Sequence, residues 1–599
     1  MNAQLAKKML NCDLCVIGGG LAGSFAALSA ARHGARVVLM QDRPMLGGNA
    51  SSEIRMWVRG AITPCDRESG LIAELEERNI HDNPTLNHCL FDAVLYDMLQ
   101  KNENITLLFN TSCLDAEVKD GKILSVTGWQ MTTYTYITVQ AKIFADCSGD
   151  SILAPLVGAE YRHGREGTAE YGETLAQPVA DTHTMGLSVI LAARETDHPV
   201  PFTPPSFANV YPTDASFSGD VCESVHALPR SHDLKCAEDN LWWVELGGEG
   251  HSIYDADRVR EELLAAIYGV WDHIKNQGDH GMENWELEWI GFLPGKRESR
   301  RYVGDYVLTE GDLLSGGHFE DEIAYGGWPM DDHPPYGMRR NPYNNTASVS
   351  IKLKEIYGIP LRCLYSKNVE NLMFAGRNIS VTHVALSSSR VMATCSLLGQ
   401  AAGTAAAVAI RDGKTIRETA RTSTAEIQRM LMDDGVFLPH VKREVSDLTQ
   451  RATLNVTADE RETLFNGIER LRPDGKENGI YQSLGERLCF TLDAPAHIGA
   501  LRLRFDPDFD RASTGIHPRL RKFAQKLHTG KDFVPVKVPA TIVKAFSVYA
   551  DGQKIADVED NFHSLLTLPL NVTAREIAVE WHATNGADRV HLFAADLLP

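Results

Sequence analysis

The stretch that decides the fold is DLCVIGGGLAGSFAALSAARHGARVVLM, residues 13–40. A short apolar run meets three consecutive glycines. A small-residue segment follows, is closed by Gly34, and returns as a second apolar run. Strand, turn, helix and strand are predicted in that order, which is a βαβ unit. Gly18, Gly20 and Gly23 stand at the G-x-G-x-x-G spacing. Gly18 allows the sharp reversal, Gly20 lets backbone approach a diphosphate, and Gly23 lets the helix pack close on the sheet. The N–H groups that open the helix would then face the phosphates. A bound dinucleotide is the expectation, with Leu21 and Ala22 beside it.

The second strand complicates this. Where such a unit expects an acid for a ribose hydroxyl, the chain carries Gln41, followed by Asp42 and Arg43. A glutamine amide oxygen accepts a hydrogen bond without charge. Charge-assisted bonds are roughly twice as strong, so the contact weakens. That loss is tolerable for a long ligand held elsewhere along its length. Asp42 is the other candidate for the ribose. Arg43 is expected at a phosphate or the adenine, with a 2′-phosphate pocket as the alternative.

A chain of 599 residues exceeds one core, so two to four domains are expected. Hydrophobic and charged fractions of 43% and 23% are those of globular protein. A formal net charge of -20 argues against nucleic acid or an anionic membrane as a main partner. No exporting signal and no apolar run of about 18 residues is seen. Eleven scattered cysteines suit a reducing cytoplasm. Cys12 and Cys15 form a lone CxxC on the first strand, and no metal is expected.

Residues 1–160 are expected to form the first part of a dinucleotide-binding domain, ending in a small meander and another buried strand. Residues 161–355, irregular and rich in Pro, Gly, Trp, Tyr and His, are expected as an inserted α+β substrate domain. Residues 356–415 return to the first domain, with NLMFAG as a strand and the alanine-rich run as a buried helix. A helical connector, 416–447, leads to 448–599. Period-2 strands such as ERLCFTLDA and EIAVEWHA predict an all-β sandwich there, galactose-binding-like or a jelly roll.

DRPMLGGNASSEIRMWVRGA, from residue 42, resembles the signature of a large family of FAD-dependent oxidoreductases. The family is related to heterodisulfide reductase A and, distantly, to fumarate reductase flavoproteins. The likeness continues through IFADCSGDS, GKRESRRYVGDYVLTEGD and YGIPLRCLYSKNVENLMFAGRNISVTHVALSSSRVMATCSLLGQAAGTAAAVA, covering about residues 12 to 415. It departs at Gln41 and at DCSGD, where DATGD is common. The resemblance implies a two-dinucleotide-binding-domain-type, Rossmann-like FAD fold of glutathione reductase type, with FAD as cofactor. It implies that Gly47, Gly48, Asn49 and Ser51 run beside the pyrophosphate and flavin. Asp146, Cys147 and Gly149 would form a second FAD-contacting turn, and Gly376 and Arg377 would meet the ribityl chain. Cys113, Val384, Ala385 and Ser388 complete the expected contacts. Ser387, Ser388 or Ser389 is expected to cap the alanine-rich helix, whose positive end would face the flavin's pyrimidine edge.

For chemistry, Arg55, Arg297 and Arg300 are candidates to hold a carboxylate or polarise an oxygen. His383 is a candidate proton carrier. Arg59, Lys296 and Arg301 lie in the same basic stretches. Trp328, Asp331, Asp332 and His333 suit a sugar ring. The expected function is hydride transfer between flavin N5 and a small polar organic substrate, with a carbohydrate or glycoside favoured. The alternatives are a dehydrogenase or reductase of a hydroxy or unsaturated acid, and a carbohydrate-binding protein with a structural flavin. No second G-x-G-x-x-G follows a strand, so the electron partner is open among oxygen, a quinone and a protein. A homo-oligomer is possible.

Overall fold

A computed structural model describes residues 5–213, 244–277, 280–338, 349–516, 525–526 and 528–599. Five short apolar runs pair into one parallel sheet: β1 (Leu14–Ile17), β2 (Val37–Met40), β3 (Ile105–Leu108), β4 (Ile143–Asp146) and β5 (Leu372–Phe374). Their order is β5-β4-β1-β2-β3. Every residue of β1, β2 and β4 is buried, which is why they read as continuous apolar runs rather than alternating ones. This is the α/β architecture expected from the first glycine turn.

Helix α1 (Leu21–Arg32) follows β1, and α2 (His383–Ser389) and α3 (Met392–Asp412) follow β5. Helices α1 and α3 meet at backbone distance. A Cβ on Gly399 would sit 2.0 Å from the Ala22 carbonyl oxygen, and one on Gly403 2.3 Å from that of Ala26. Ser29 and Thr404 share a 2.8 Å hydrogen bond across the same contact. Among the described residues, α3 is the one helix long and apolar enough to cross a membrane, and 94% of that stretch is buried inside the protein.

Between β3 and β4 the predicted meander forms from Thr111–Lys119, Lys122–Gln130 and Thr135–Gln140. An N-terminal strand, Ala6–Asn11, adds to it in parallel. Between β4 and β5 lie several two- and three-stranded sheets and the helix Ala256–Asp272. That helix packs on Leu187, Leu191, Val244 and Trp285. Cys12 and Cys15 are buried and unpaired. Among the described residues no His, Cys, Asp and Glu group has metal-site clustering.

The chain divides into two compact units. One comprises residues 1–62, 87–427 and 525–533, and holds the parallel sheet. The other comprises residues 63–86, 428–524 and 534–599. Its all-antiparallel sheet of seven strands is dominated by Arg487–Phe505 and Leu565–Thr584, which pair along most of their length with bulges. Phe490, Leu503, Phe546, Val579 and Trp581 share one core beneath it. The helix Leu71–Asp82 belongs to this unit: Glu76 pairs with Arg67 and Arg511, and Glu77 accepts from Ser564.

Candidate active site

The carboxyl ends of β1, β2, β4 and β5 open on a cavity of about 1190 Å³. Ligands of open α/β sheets bind at such strand ends. A drug-sized ligand fills about 300–1,000 Å³, so this space admits a long ligand with a second molecule beside it. Gly18, Gly20, Leu21 and Ala22 line it from the first turn. Gln41, Asp42 and Arg43 line it from the end of β2, and Gly47, Gly48 and Asn49 from the next loop. Cys113, Cys147 and Gly149, with Gly376 and Arg377, complete this part of the wall.

The glycines divide by what their missing Cβ atoms would meet. A Cβ on Gly18, whose φ is +97°, would strike the Cys147 carbonyl oxygen and Ser148 at 2.6 Å. A Cβ on Gly23 would strike the Gly18 oxygen at 1.8 Å. Those two serve packing. Gly20 has ordinary φ, and its Cβ would meet only Gly48 Cα, at 3.9 Å. Its bareness therefore clears cavity space. Helix α1 also starts there without a side-chain cap, the arrangement an anionic diphosphate completes. Residues 13–431 match the sequence profile of the FAD dependent oxidoreductase family.

The chain is an FAD-dependent oxidoreductase of that family. A search of curated proteins returns no match. Among solved structures, it is similar to a geranylgeranyl bacteriochlorophyll reductase-like protein from Thermoplasma acidophilum, at 12% identity and TM-score 0.30 over 71% of this chain and 86% of that one. It is similar to p-nitrophenol 4-monooxygenase PnpA from Pseudomonas putida, at 11% identity and TM-score 0.31 over 73% and 90%. It is also similar to an FrdA variant of Escherichia coli quinol fumarate reductase, at 12% identity and TM-score 0.26 over 71% and 75%.

The residues present fit FAD. Gly20 is predicted to separate fold from cofactor. Gly20→Ala should change apoprotein stability by less than about 1 kcal/mol, because its Cβ meets nothing tight. Its FAD affinity should fall by roughly tenfold or more, read by flavin titration of the apoprotein.

Gln41 takes a part the sequence did not suggest. Its amide oxygen accepts from Gly19 N–H at 2.7 Å, and its amide nitrogen donates to the Met45 carbonyl at 3.0 Å. The buried side chain thus shapes the glycine turn and meets the loop that follows. Asp42, 58% exposed at the cavity edge, is the carboxylate left at that strand end. The loop is fixed from several sides. Gly47 N–H donates to the Gly19 carbonyl at 2.8 Å, Ser51 Oγ to Gly48 O at 2.7 Å, and Asn49 Nδ2 to Lys296 O at 3.1 Å. Ser51 therefore holds the loop's shape without lining the cavity.

Asp146 is fully buried and turned inward. Its carboxylate accepts from Ser148 N–H and Oγ, Leu153 N–H and the Tyr302 hydroxyl. It organises the turn that presents Cys147, Ser148, Gly149 and Asp150. Asp150, which the sequence reading passed over, pairs with Lys296 at 2.6 Å and Arg377 at 2.8 Å. Burial would raise its pKa, but Arg377 and Lys296 outweigh burial and hold it below the usual range. Arg377 also donates to Ser299 at 2.9 Å. This cation is fixed at the cavity wall.

A second stretch of wall comes from the segment after Ser51, the insert and the start of α3. Trp57, Arg59, Trp328, Asp331, His333, Arg297 and Arg390 line it. The Arg59 guanidinium lies 5.1 Å from the Trp57 ring centroid and 5.5 Å from that of Trp328. A run of buried charges continues from Arg297 to Glu245 at 3.3 Å and His333 at 2.8 Å from Glu245. It passes through Asp331, 3.2 Å from His333, and ends at Arg390, 3.6 Å from Asp331. Burial opposes charge on His333, but Glu245 and Asp331 prevail and raise its pKa.

Several expected placements differ here. His383 does not line the cavity; its ring nitrogens contact Glu298 at 2.9 Å and Asp332 at 3.1 Å. Burial favours its neutral form, yet the two carboxylates raise its pKa to about 10, so it is a fixed cation. Arg55, at φ +60°, turns away to stack 4.2 Å from the Trp289 centroid and donate to Ser52 O. Arg300 donates to the Tyr254 hydroxyl at 2.9 Å, also off the cavity. Ser387, Ser388 and Ser389 end α2 rather than capping the alanine-rich helix. Thr382 caps α2, and α3 starts at Val391 with no side-chain cap. Val384, Ala385 and Ser388 are buried behind the wall, where Ser388 contacts Trp328 O at 2.5 Å and Tyr357 Oη at 2.8 Å. The bare start of α3, through Arg390, Val391 and Met392, does face the cavity.

Asp92 anchors the end of the Gly47–Ser51 loop, accepting from Ser52 N–H at 3.1 and 3.2 Å. Burial raises its pKa from 3.8 to about 6. A carboxyl with a raised folded pKa takes up more protons folded than unfolded, so its contribution declines as pH rises from 3.8 through about 6. Asp92→Asn keeps the acceptor without the charge. It should raise stability by about 1–3 kcal/mol at neutral pH and not at pH 4, read by paired thermal melts.

Proposed function

We propose that this oxidoreductase passes a hydride between its flavin and a small polar organic molecule seated against Trp57, Arg59, Trp328 and Arg390. The observation that carries this reading is the continuity of the cavity. It joins a bare glycine turn at one set of strand ends to buried charges held by a different set of elements. FAD, when bound, supplies two-electron chemistry at N5. The chain supplies position and charge. Arg377, Lys296 and Asp150 fix one part of the wall, and Arg297 and Arg390 flank the other. His333 stands between Glu245 and Asp331, which raise its pKa, at the wall of the substrate space. Electrons are exchanged with oxygen, a quinone or a partner protein.

The carbohydrate preference has one support: Trp328, Asp331 and His333 all reach the wall. Against it, Arg59 lies over the Trp328 ring, and Asp331 and His333 are bonded to each other. Asp332 serves His383 instead.

Anaerobic addition of sugars, glycosides and hydroxy acids to the flavin-loaded protein tests the reading. At least one class is expected to bleach the oxidised flavin band. A flavin that stays oxidised against the whole panel, and that once reduced is not reoxidised by unsaturated acids, would identify it as structural.

A further inference from the structure

We infer that the wall formed by Arg390, Trp328 and Arg59 receives an organic carboxylate, so that the substrate of the proposed reaction is an organic acid. This rests on the reading of the cavity given above and names the ligand class for its second part.

The Arg390 side chain is 11% exposed. Its Nη2 donates to the Asp331 carbonyl at 3.0 Å, while its Nε is buried with no acceptor. The indole N–H of Trp328 is likewise buried with no acceptor. Both side chains line the cavity. A buried donor left without an acceptor costs about 1–3 kcal/mol, and more when charged. Guanidinium and indole nitrogens can only donate. The ligand that completes them must therefore bring acceptors.

A sugar brings acceptors together with hydroxyl protons that need acceptors of their own. The nearby carboxylates are already engaged, Asp331 by His333 and Glu245 by His333 and Arg297. The Trp328 face that would stack on a pyranose lies under Arg59. A carboxylate brings acceptors alone, and its two oxygens match the planar edge of a guanidinium. Charge points the same way. The run Arg297, Glu245, His333, Asp331, Arg390 begins and ends on a cation, and an anion against Arg390 continues the alternation.

Calorimetry on the FAD-loaded protein tests this without requiring turnover. Benzoate and propionate serve as probes, with benzamide and propionamide as uncharged matches and inorganic phosphate as a competing oxyanion. At least one acid is expected to bind ten times more tightly than its amide and than phosphate. Arg390→Met should weaken that acid at least tenfold. Trp328→Phe, which removes only the indole N–H, should weaken it severalfold. It decides the matter alone if Arg390→Met does not fold. Amides binding as well as acids, phosphate binding best, no acid binding at all, or both variants binding normally would overturn the assignment. Acid binding with a flavin that no panel member reduces would instead uphold this site and sink the hydride-transfer reading.

Discussion

Gly399→Ala is expected to leave no folded flavoprotein at physiological temperature, although alanine is the better helix former. In an exposed helix interior this change stabilises by about 1 kcal/mol. Here the added methyl would lie 2.0 Å from the Ala22 carbonyl oxygen, in the helix that opens the glycine turn. Neither backbone can yield, because α1 and α3 are buried along nearly their whole length. Overpacking costs about 1–3 kcal/mol where side chains can adjust and more where they cannot. The result to measure is soluble yield, melting temperature and flavin content beside Gly413→Ala. Gly413 has open space around it, so only its left-handed φ of +64° is at stake. If Gly399→Ala melts at or above the wild-type temperature, the close approach of α1 and α3 is wrong.

Glu298 should rival it. This carboxylate is completely buried, accepts from Met185 N–H at 3.0 Å, and joins Arg301 to His383. Arg301 is also held by Glu166 at 2.7 Å. Burial would raise the Glu298 pKa, but His383 and Arg301 hold it down to about 2. Glu298→Gln removes the middle charge from the chain Glu166, Arg301, Glu298, His383 and Asp332. The expected loss is about 3–5 kcal/mol, the usual cost of leaving a buried charge without its partner. Pairing it with His383→Gln should recover part of that loss, a coupling a double-mutant cycle measures.

The pH dependence has a definite sign. Glu298, depressed from 4.5, contributes above that value and loses its contribution toward about 2. His383, raised from 6.5, contributes fully below 6.5 and loses its contribution as pH climbs through about 10. The margin of wild type over the His383→Gln variant should therefore be widest between pH 4.5 and 6.5 and narrow toward pH 10. A margin independent of pH would refute the charged trio.

The parallel sheet and its glycine turn were legible because local physics fixes them. Buried strands need unbroken apolar runs, and the tight turn needs residues without side chains, so both leave marks within thirty residues. The small-residue run around Gly399 and Gly403 likewise announced a buried helix, though not its neighbour. Side-chain direction left no such mark. Gln41 turns inward because Gly19 N–H and Met45 O are there to meet it, which no local pattern encodes. His383 was misplaced because its partners Glu298 and Asp332 stand 85 and 51 positions away. Arg390 and Asp150 lay inside the quoted motifs and were passed over for the same reason. Which charged side chains reach a cavity wall is set by elements distant in sequence, and no local pattern encodes it.

The two compact units have a consequence for how the polypeptide is assembled. The backbone passes from one to the other five times, at residues 62, 86, 427, 524 and 533. Helix Leu71–Asp82 is made early, yet the partners of Glu76 and Glu77 include Arg511 and Ser564, more than four hundred positions later. Until they emerge from the ribosome, two acids destined for the interior stay in water. An excised C-terminal fragment would face the mirror-image deficit, with Arg511 stranded. The halves are interleaved in the gene and separable only in space, so neither shuffling nor simple truncation can hand one of them on.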